Sequence, residues 1–333
     1  MSGALPPIRM VSNEYLLSTF EKASLNKHHA ISRSDPKPAN LGYPVSQTIN
    51  PGYLSTMTDF NQYRQQIELR GEILSYLDIG QGPVLLLGHS YLWDATMWQQ
   101  QLPVLAKHYR CIVPDLWGHG QSGAIPAHTE SLADIAADML TLMDKLSVDE
   151  FTVIGLSVGA MWGAELVLKA PSRVKALVMM GSFLGFEPEV TRNKYMAMLD
   201  GISQLGQIPA PMAEQIAPMF FAVTTASLRP QLLSDFASAL QSISPERIPD
   251  TVAMGKLIFN RRDAMEDADN LTLPCLIMSG VEDTARTVLE SFLMVDAIDG
   301  AEMVQIPAAG HISVLEQGDF INQALLTFLE KHH

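Results

Sequence analysis

Residues 153–163 read VIGLSVGAMWG, and within them Gly155-Leu156-Ser157-Val158-Gly159 forms a G-x-S-x-G pattern. A chain of this length meets that pattern by chance roughly one time in ten, so its surroundings must decide what it means. Before it stands an apolar run, Phe151–Gly155, that reads as a buried strand. After it comes a run of small and apolar residues that reads as a helix. A sharp strand-to-helix turn lifts the side chain between them above the C-terminal edge of a sheet, and the flanking glycines leave room for it. Ser157 is therefore a candidate nucleophile. The competing reading is a serine that caps a helix N-terminus.

Outward from this stretch the pattern repeats. QQIELR and EILSYLD, around Gly71, alternate apolar and polar residues as a hairpin does, and PVLLLG is an unbroken apolar run suited to a strand covered on both faces. MWQQQLPVLAKHY is expected to be a helix, RCIVPD a strand and SLADIAADMLTLMDKL an amphipathic helix. VKALVMMG, PCLIMSG and AEMVQIP read as further strands, with TVLESFLMVDAI and FINQALLTFLEKH as the closing helices. Alternating strands and helices predict a mostly parallel sheet with helices on both faces. Residues 184–270 break the alternation. They hold apolar helical patterns interrupted by Pro and Gly, dotted with Met196, Met198, Met212, Met219, Phe220 and Phe221, and an insertion of this size is expected to form a helical lid. Residues 59–183 and 271–333 then make the core. Residues 1–58, rich in Ser, Asn, Pro and Lys, are expected to be a poorly ordered extension with one short helical stretch, NEYLLSTFEKA, and Met57 is a candidate genuine start.

Composition narrows the class. Of 333 residues 47% are hydrophobic and 17% charged, which suits a large packed core. A net charge of −14 with no basic run argues against nucleic-acid and membrane-surface partners. No apolar run approaches the roughly 18 residues that span a bilayer, and the N-terminus lacks the apolar core of a secretory signal. Cys111 and Cys275 lie in strand-like apolar runs and form neither a disulfide framework nor a metal-binding pair. A cytoplasmic location and no metal or organic cofactor are expected; oligomeric state is left open.

A serine hydroxyl needs a base. Of nine histidines, His28, His29, His332 and His333 sit near the chain ends, His108 near a helix end and His128 in a polar loop. His311, in IPAAGHISVLEQ, follows the last strand and precedes the last helix, which puts it at the same sheet edge as Ser157. The base in turn needs a carboxylate to fix its tautomer. Asp283 ends a tight Gly280–Asp283 turn after PCLIMSG; Glu187, in the loop after VKALVMMG, is the alternative for the same role.

The order Ser157, Asp283, His311 on this series resembles the α/β-hydrolase fold over about residues 65–331. GLSVG resembles its nucleophile elbow, GVED the acid turn and AGHIS the histidine loop. PDLWGHGQSG resembles its D-x-x-G-x-G-x-S turn through Asp115, Gly118, Gly120 and Ser122, with His119 inside it as a structural residue. Where the family carries His-Gly after its third strand this chain has His89-Ser90. The resemblance implies oxyanion donors at the backbone N–H of Tyr91 and Val158. Serine at the elbow excludes the aspartate-based route of related dehalogenases and epoxide hydrolases. The motif order looks most like the serine esterase and enol-lactonase branch. The expected activity is thus hydrolysis of a small, largely apolar ester or lactone, with Trp93, Met196 and Phe220 as candidate substrate contacts. Thioesterase, acyltransferase or carbon–carbon hydrolase activity on the same triad, and a non-catalytic ligand receptor, are the alternatives.

Overall fold

A computed structural model of the chain describes residues 59–332. The expected N-terminal extension, its short helical stretch, His28, His29 and His333 lie outside the described residues. Eight strands form one sheet: β1 (Arg64–Leu69), β2 (Glu72–Ile79), β3 (Val84–Gly88), β4 (Arg110–Pro114), β5 (Phe151–Leu156), β6 (Val174–Met180), β7 (Cys275–Gly280) and β8 (Glu302–Ile306). Their order is β1-β2-β4-β3-β5-β6-β7-β8. β1 pairs with β2, and β2 with β4, antiparallel; every later pair is parallel. The β1–β2 hairpin closes on Arg70 and Gly71, both at positive φ (53° and 85°), which matches the right-handed twist of the strands it joins. β5 is buried at every residue, as expected for a central strand with helices on both faces.

The helices between strands follow the sequence pattern, with one exception. α1 is a single turn, Leu102–Leu105, after a 3₁₀ turn over Ala95–Trp98, where one longer helix is expected. Pro103 has no N–H to give an upstream turn, so it starts a helix there, and Asp94 independently caps the 3₁₀ turn through Thr96 N. α2 (Leu132–Lys145) opens on a capping box between Ser131 and Asp134. α3 (Val158–Lys169) follows β5 directly. Five helices, α4 (Glu189–Leu205), α5 (Ala210–Ile216), α6 (Val223–Leu228), α7 (Pro230–Gln241) and α8 (Ile248–Phe259), are inserted between β6 and β7. α9 (Val288–Ala297), α10 (Ser313–Glu316) and α11 (Gly318–His332) complete the chain. Cys111 and Cys275 are buried, free thiols whose pKa is pushed up to about 12 by burial, so both act as small core hydrophobes. No helix among the described residues is long and apolar enough to cross a membrane.

Candidate active site

Ser157 sits between the last residue of β5 and the first of α3 with φ 57° and ψ −120°, a backbone conformation that costs a non-glycine residue energy and that the surroundings must enforce. They do so from several directions. Ser157 N donates to Met180 O on β6 (2.8 Å), and Ser157 O accepts from Ala160 N (3.0 Å), Met161 N (3.1 Å) and Ser182 Oγ (3.0 Å). The two flanking glycines are needed for space: a Cβ on Gly155 would collide with the backbone of Ala160, and one on Gly159 with the carbonyl of Gly88 in β3. The Ser157 side chain makes no capping hydrogen bond to α3. The helix-cap reading of this serine therefore fails, and its hydroxyl is left to the cavity it lines.

His311 lines the same cavity. Its Nδ1 lies 2.9 Å from Asp283 Oδ2, both groups being buried. The other carboxylate oxygen, Oδ1, accepts the backbone N–H of Ala285 (2.8 Å) and of Arg286 (2.9 Å), so the turn holds the Asp283 carboxylate through two contacts. Glu187 is not the partner of His311. It is buried and paired instead with two guanidinium groups, those of Arg261 (3.1 Å) and Arg286, which ties the end of α8 to the acid turn.

The loop after β3 forms another part of the wall through Ser90, Tyr91 and Leu92. His89 fixes it. Its Nε2 accepts Leu116 N (2.8 Å), so its proton is on Nδ1 and is donated to Ser90 O (2.7 Å). Burial holds its pKa down, which keeps that tautomer neutral despite nearby Asp115. Tyr91 packs its ring between His119 and the inserted helices. Its hydroxyl donates to Thr251 O in α8 (2.8 Å) and its ring meets Phe259 edge-on. The Asp115–Ser122 turn is structural. Asp115 accepts from Ala95 N (2.8 Å), Gln121 N (2.9 Å) and Arg64 (2.6 Å), and burial pushes His119 down to about 3. Two glutamates fasten the start of α6 on either side of the site. Glu282 accepts from Thr224 N (3.2 Å) and Thr224 Oγ1 (2.6 Å). Glu316 accepts from Ala222 N (2.8 Å), Thr225 Oγ1 (2.6 Å) and, on its other oxygen, Gly310 N (2.8 Å) in the histidine loop.

Of the three expected substrate contacts, Phe220 lies on the cavity wall, with its ring 5.6 Å from that of His311. Trp93 and Met196 are not among the residues that line it. Trp93 is drawn off the wall by stacking on Phe236 of α7 (4.5 Å, 9° between planes), and Met196 Sδ lies against Asn260 Nδ2 at 3.6 Å. The wall instead takes Met161, Tyr195, Met198, Phe259 and Arg286. Met161 stands one helical turn after Ser157, a position that periodicity could have flagged. Arg286 carries no such signal, since its place depends on the turn after Asp283.

The chain is similar to known proteins over most of the described residues. The alpha/beta hydrolase fold family model matches residues 80–317. The 3-oxoadipate enol-lactonase 2 of Acinetobacter baylyi (strain ATCC 33305 / BD413 / ADP1) is 22% identical over 281 residues, covering 81% of this chain and 97% of that protein. The carboxylesterase YbfK of Bacillus subtilis (strain 168) is 25% identical over 251 residues, covering 74% and 80%. Among solved structures, a thermophilic esterase from Thermogutta terrifontis superposes with a TM-score of 0.73 at 26% identity, covering 81% of this chain and 99% of that one. With a strained serine at the end of the central strand, a histidine–aspartate pair across the same cavity and a family match over most of its length, the chain belongs to the α/β-hydrolase fold family.

Proposed function

We propose that the protein is a serine hydrolase that cleaves a carboxylic ester or lactone of a small, largely apolar substrate through an acyl-enzyme. The observation that carries this reading is Ser157 itself, held at φ 57° without a capping bond on a cavity wall shared with His311, whose Nδ1 is bonded to Asp283. In the proposed reaction His311 Nε2 takes the proton of Ser157 Oγ as that oxygen attacks the carbonyl carbon. Asp283 holds the imidazole with its proton on Nδ1 and stabilises the imidazolium. The N–H groups of Val158, at the unpaired start of α3, and of Tyr91 stabilise the oxyanion. The tetrahedral intermediate collapses with transfer of the proton from His311 to the leaving oxygen. That oxygen departs as an alcohol, or stays tethered as a hydroxyl when the substrate is a lactone. Water, deprotonated by His311, then attacks the acyl-enzyme and releases the acid.

Residues 184–270 serve in this reading as a lid over the core of residues 59–183 and 271–332, supplying the apolar wall through Met198, Phe220 and Phe259. The named activities of the enol-lactonase and carboxylesterase relatives support an ester or lactone as the substrate class. The test is fluorophosphonate labelling beside turnover of a panel of p-nitrophenyl esters, lactones and thioesters, for wild type and Ser157→Ala. Labelling and turnover are expected in wild type and absent from the variant. Equal labelling of both proteins overturns the assignment of the nucleophile, and turnover of thioesters alone moves the substrate class.

A further inference from the structure

Several buried polar side-chain atoms have no hydrogen-bond partner, among them Trp98 Nε1, Thr152 Oγ1 and Ser90 Oγ. Of these residues Ser90 alone also lines the cavity that holds Ser157 and His311. Its own carbonyl is already engaged. Ser90 O already accepts from His89 Nδ1 (2.7 Å) and Trp93 N (3.2 Å), and His89 is locked in one tautomer by Leu116 N (2.8 Å). These bonds hold the loop, and its backbone gives the hydroxyl no partner. A buried hydroxyl without a partner destabilises a fold, and alanine at this position would carry no such cost. A group of this kind is explained when its partner arrives with the substrate.

We propose that the Ser90 hydroxyl is a third donor to the developing oxyanion, beside the N–H groups of Tyr91 and Val158. This rests on the reading of Ser157 as the nucleophile. Ser90 is bonded directly to Tyr91, so its hydroxyl belongs to the same short, fixed loop as the proposed backbone donor. It has an O–H to give and no acceptor in the free protein, and the strongest acceptor formed in the cavity is the oxyanion. The hydroxyl keeps its proton throughout: it donates a hydrogen bond that strengthens as negative charge builds on the carbonyl oxygen, and weakens when the intermediate collapses. Ser90 is in this sense a catalytic residue of the hydrolase.

The test uses Ser90→Ala and Ser90→Cys in the full chain. The cysteine keeps the volume and replaces a good donor by a weak one. Four quantities are read for each: kcat and KM on p-nitrophenyl acetate, the affinity for a trifluoromethyl ketone that forms a tetrahedral adduct with Ser157, and the thermal midpoint. Both variants are expected to lose about ten- to a hundredfold in kcat and in ketone affinity, with KM within about twofold. Their thermal midpoints should equal or exceed that of wild type, because an unsatisfied buried hydroxyl has been removed. Wild-type kcat and ketone affinity, a loss confined to KM, or a lowered midpoint in Ser90→Ala overturns the proposal. Ser157→Ala separates the two readings: if it retains turnover, the nucleophile is wrong whatever Ser90 does. If it is inert while Ser90→Ala is fully active, the Ser90 proposal alone falls.

Discussion

Asp283→Asn is the substitution whose effect the geometry specifies most closely. Asp283 Oδ1 accepts two backbone N–H groups, at 2.8 Å and 2.9 Å, and Oδ2 faces His311 Nδ1 at 2.9 Å. An asparagine has to turn its carbonyl oxygen toward the two N–H groups, since its NH₂ would meet only donors there. Its NH₂ then points at His311 Nδ1, which must accept, and the imidazole proton is driven to Nε2. That is the nitrogen that takes the proton of Ser157 in the proposed reaction. Flipping the amide back leaves two buried N–H donors without acceptors, at about 1–3 kcal/mol each. At about 1.4 kcal/mol per decade the wrong tautomer alone lowers kcat by about 30-fold to 10⁴-fold. Loss of the carboxylate charge adds to this, and the matching substitution in serine proteases costs about 10⁴-fold in kcat. The expected result is a fall in kcat of about 10³–10⁴ with KM little changed, measured on p-nitrophenyl acetate and checked by the rate of fluorophosphonate labelling. Asp283→Ala imposes no tautomer, so it should lose no more than the asparagine variant although it removes more atoms. An asparagine variant within tenfold of wild type would refute the reasoning.

Two further perturbations follow from the same geometry. Glu187→Gln leaves the guanidinium groups of Arg261 and Arg286, whose side chains are 3% and 6% exposed, without their shared carboxylate. Urea unfolding should show a loss of about 3–5 kcal/mol, while kcat per folded molecule stays within a few-fold. The opposite outcome, lost turnover at full stability, would make Glu187 the triad acid. His119 has a pKa lowered from 6.5 to about 3 by burial. Its contribution to stability is complete above pH 6.5 and is lost as pH falls from there toward about 3. From pH 7 to pH 5 this group costs wild type about 2 kcal/mol, and His119→Phe should flatten that part of the urea-measured pH profile. A profile equally steep in the variant assigns the acid sensitivity elsewhere.

The fold was legible because its information is local. Unbroken apolar runs such as Val84–Gly88 and Phe151–Leu156 announce strands covered on both faces, and Ser131 with Asp134 announces the start of α2. The placement of Ser157, Asp283 and His311 at one edge was legible for a related reason, since each follows a strand and strand ends share an edge. Apart from Phe220, side chains contributed through the packing of the inserted helices were not. Whether Trp93 meets substrate or Phe236, and whether Met196 or Met198 reaches the cavity, depends on how α4, α7 and α8 pack, which periodicity within one helix does not encode. The pairing of Glu187 with Arg261 and Arg286 joins residues 74 and 99 positions apart and leaves no mark on either neighbourhood.

The bonds from Glu282 and Glu316 to the start of α6 bear on how a ligand gets in. One precedes the proposed acid and the other follows the proposed base by five residues, so α6 cannot swing outward without pulling on both. α8 is held as firmly, through Tyr91 and Thr251 and through Asp250, which accepts Ile125 N at 3.0 Å. α4 packs on α8: Leu199 and Ile202 are its buried residues, Tyr195 stacks on Phe259 at 4.1 Å, and Lys256 meets Asp200 at the surface. Tyr195 and Met198 of α4 line the cavity without taking part in those bonds. Substitutions there can reshape entry and selectivity while the bonds that aim Asp283 and His311 stay untouched.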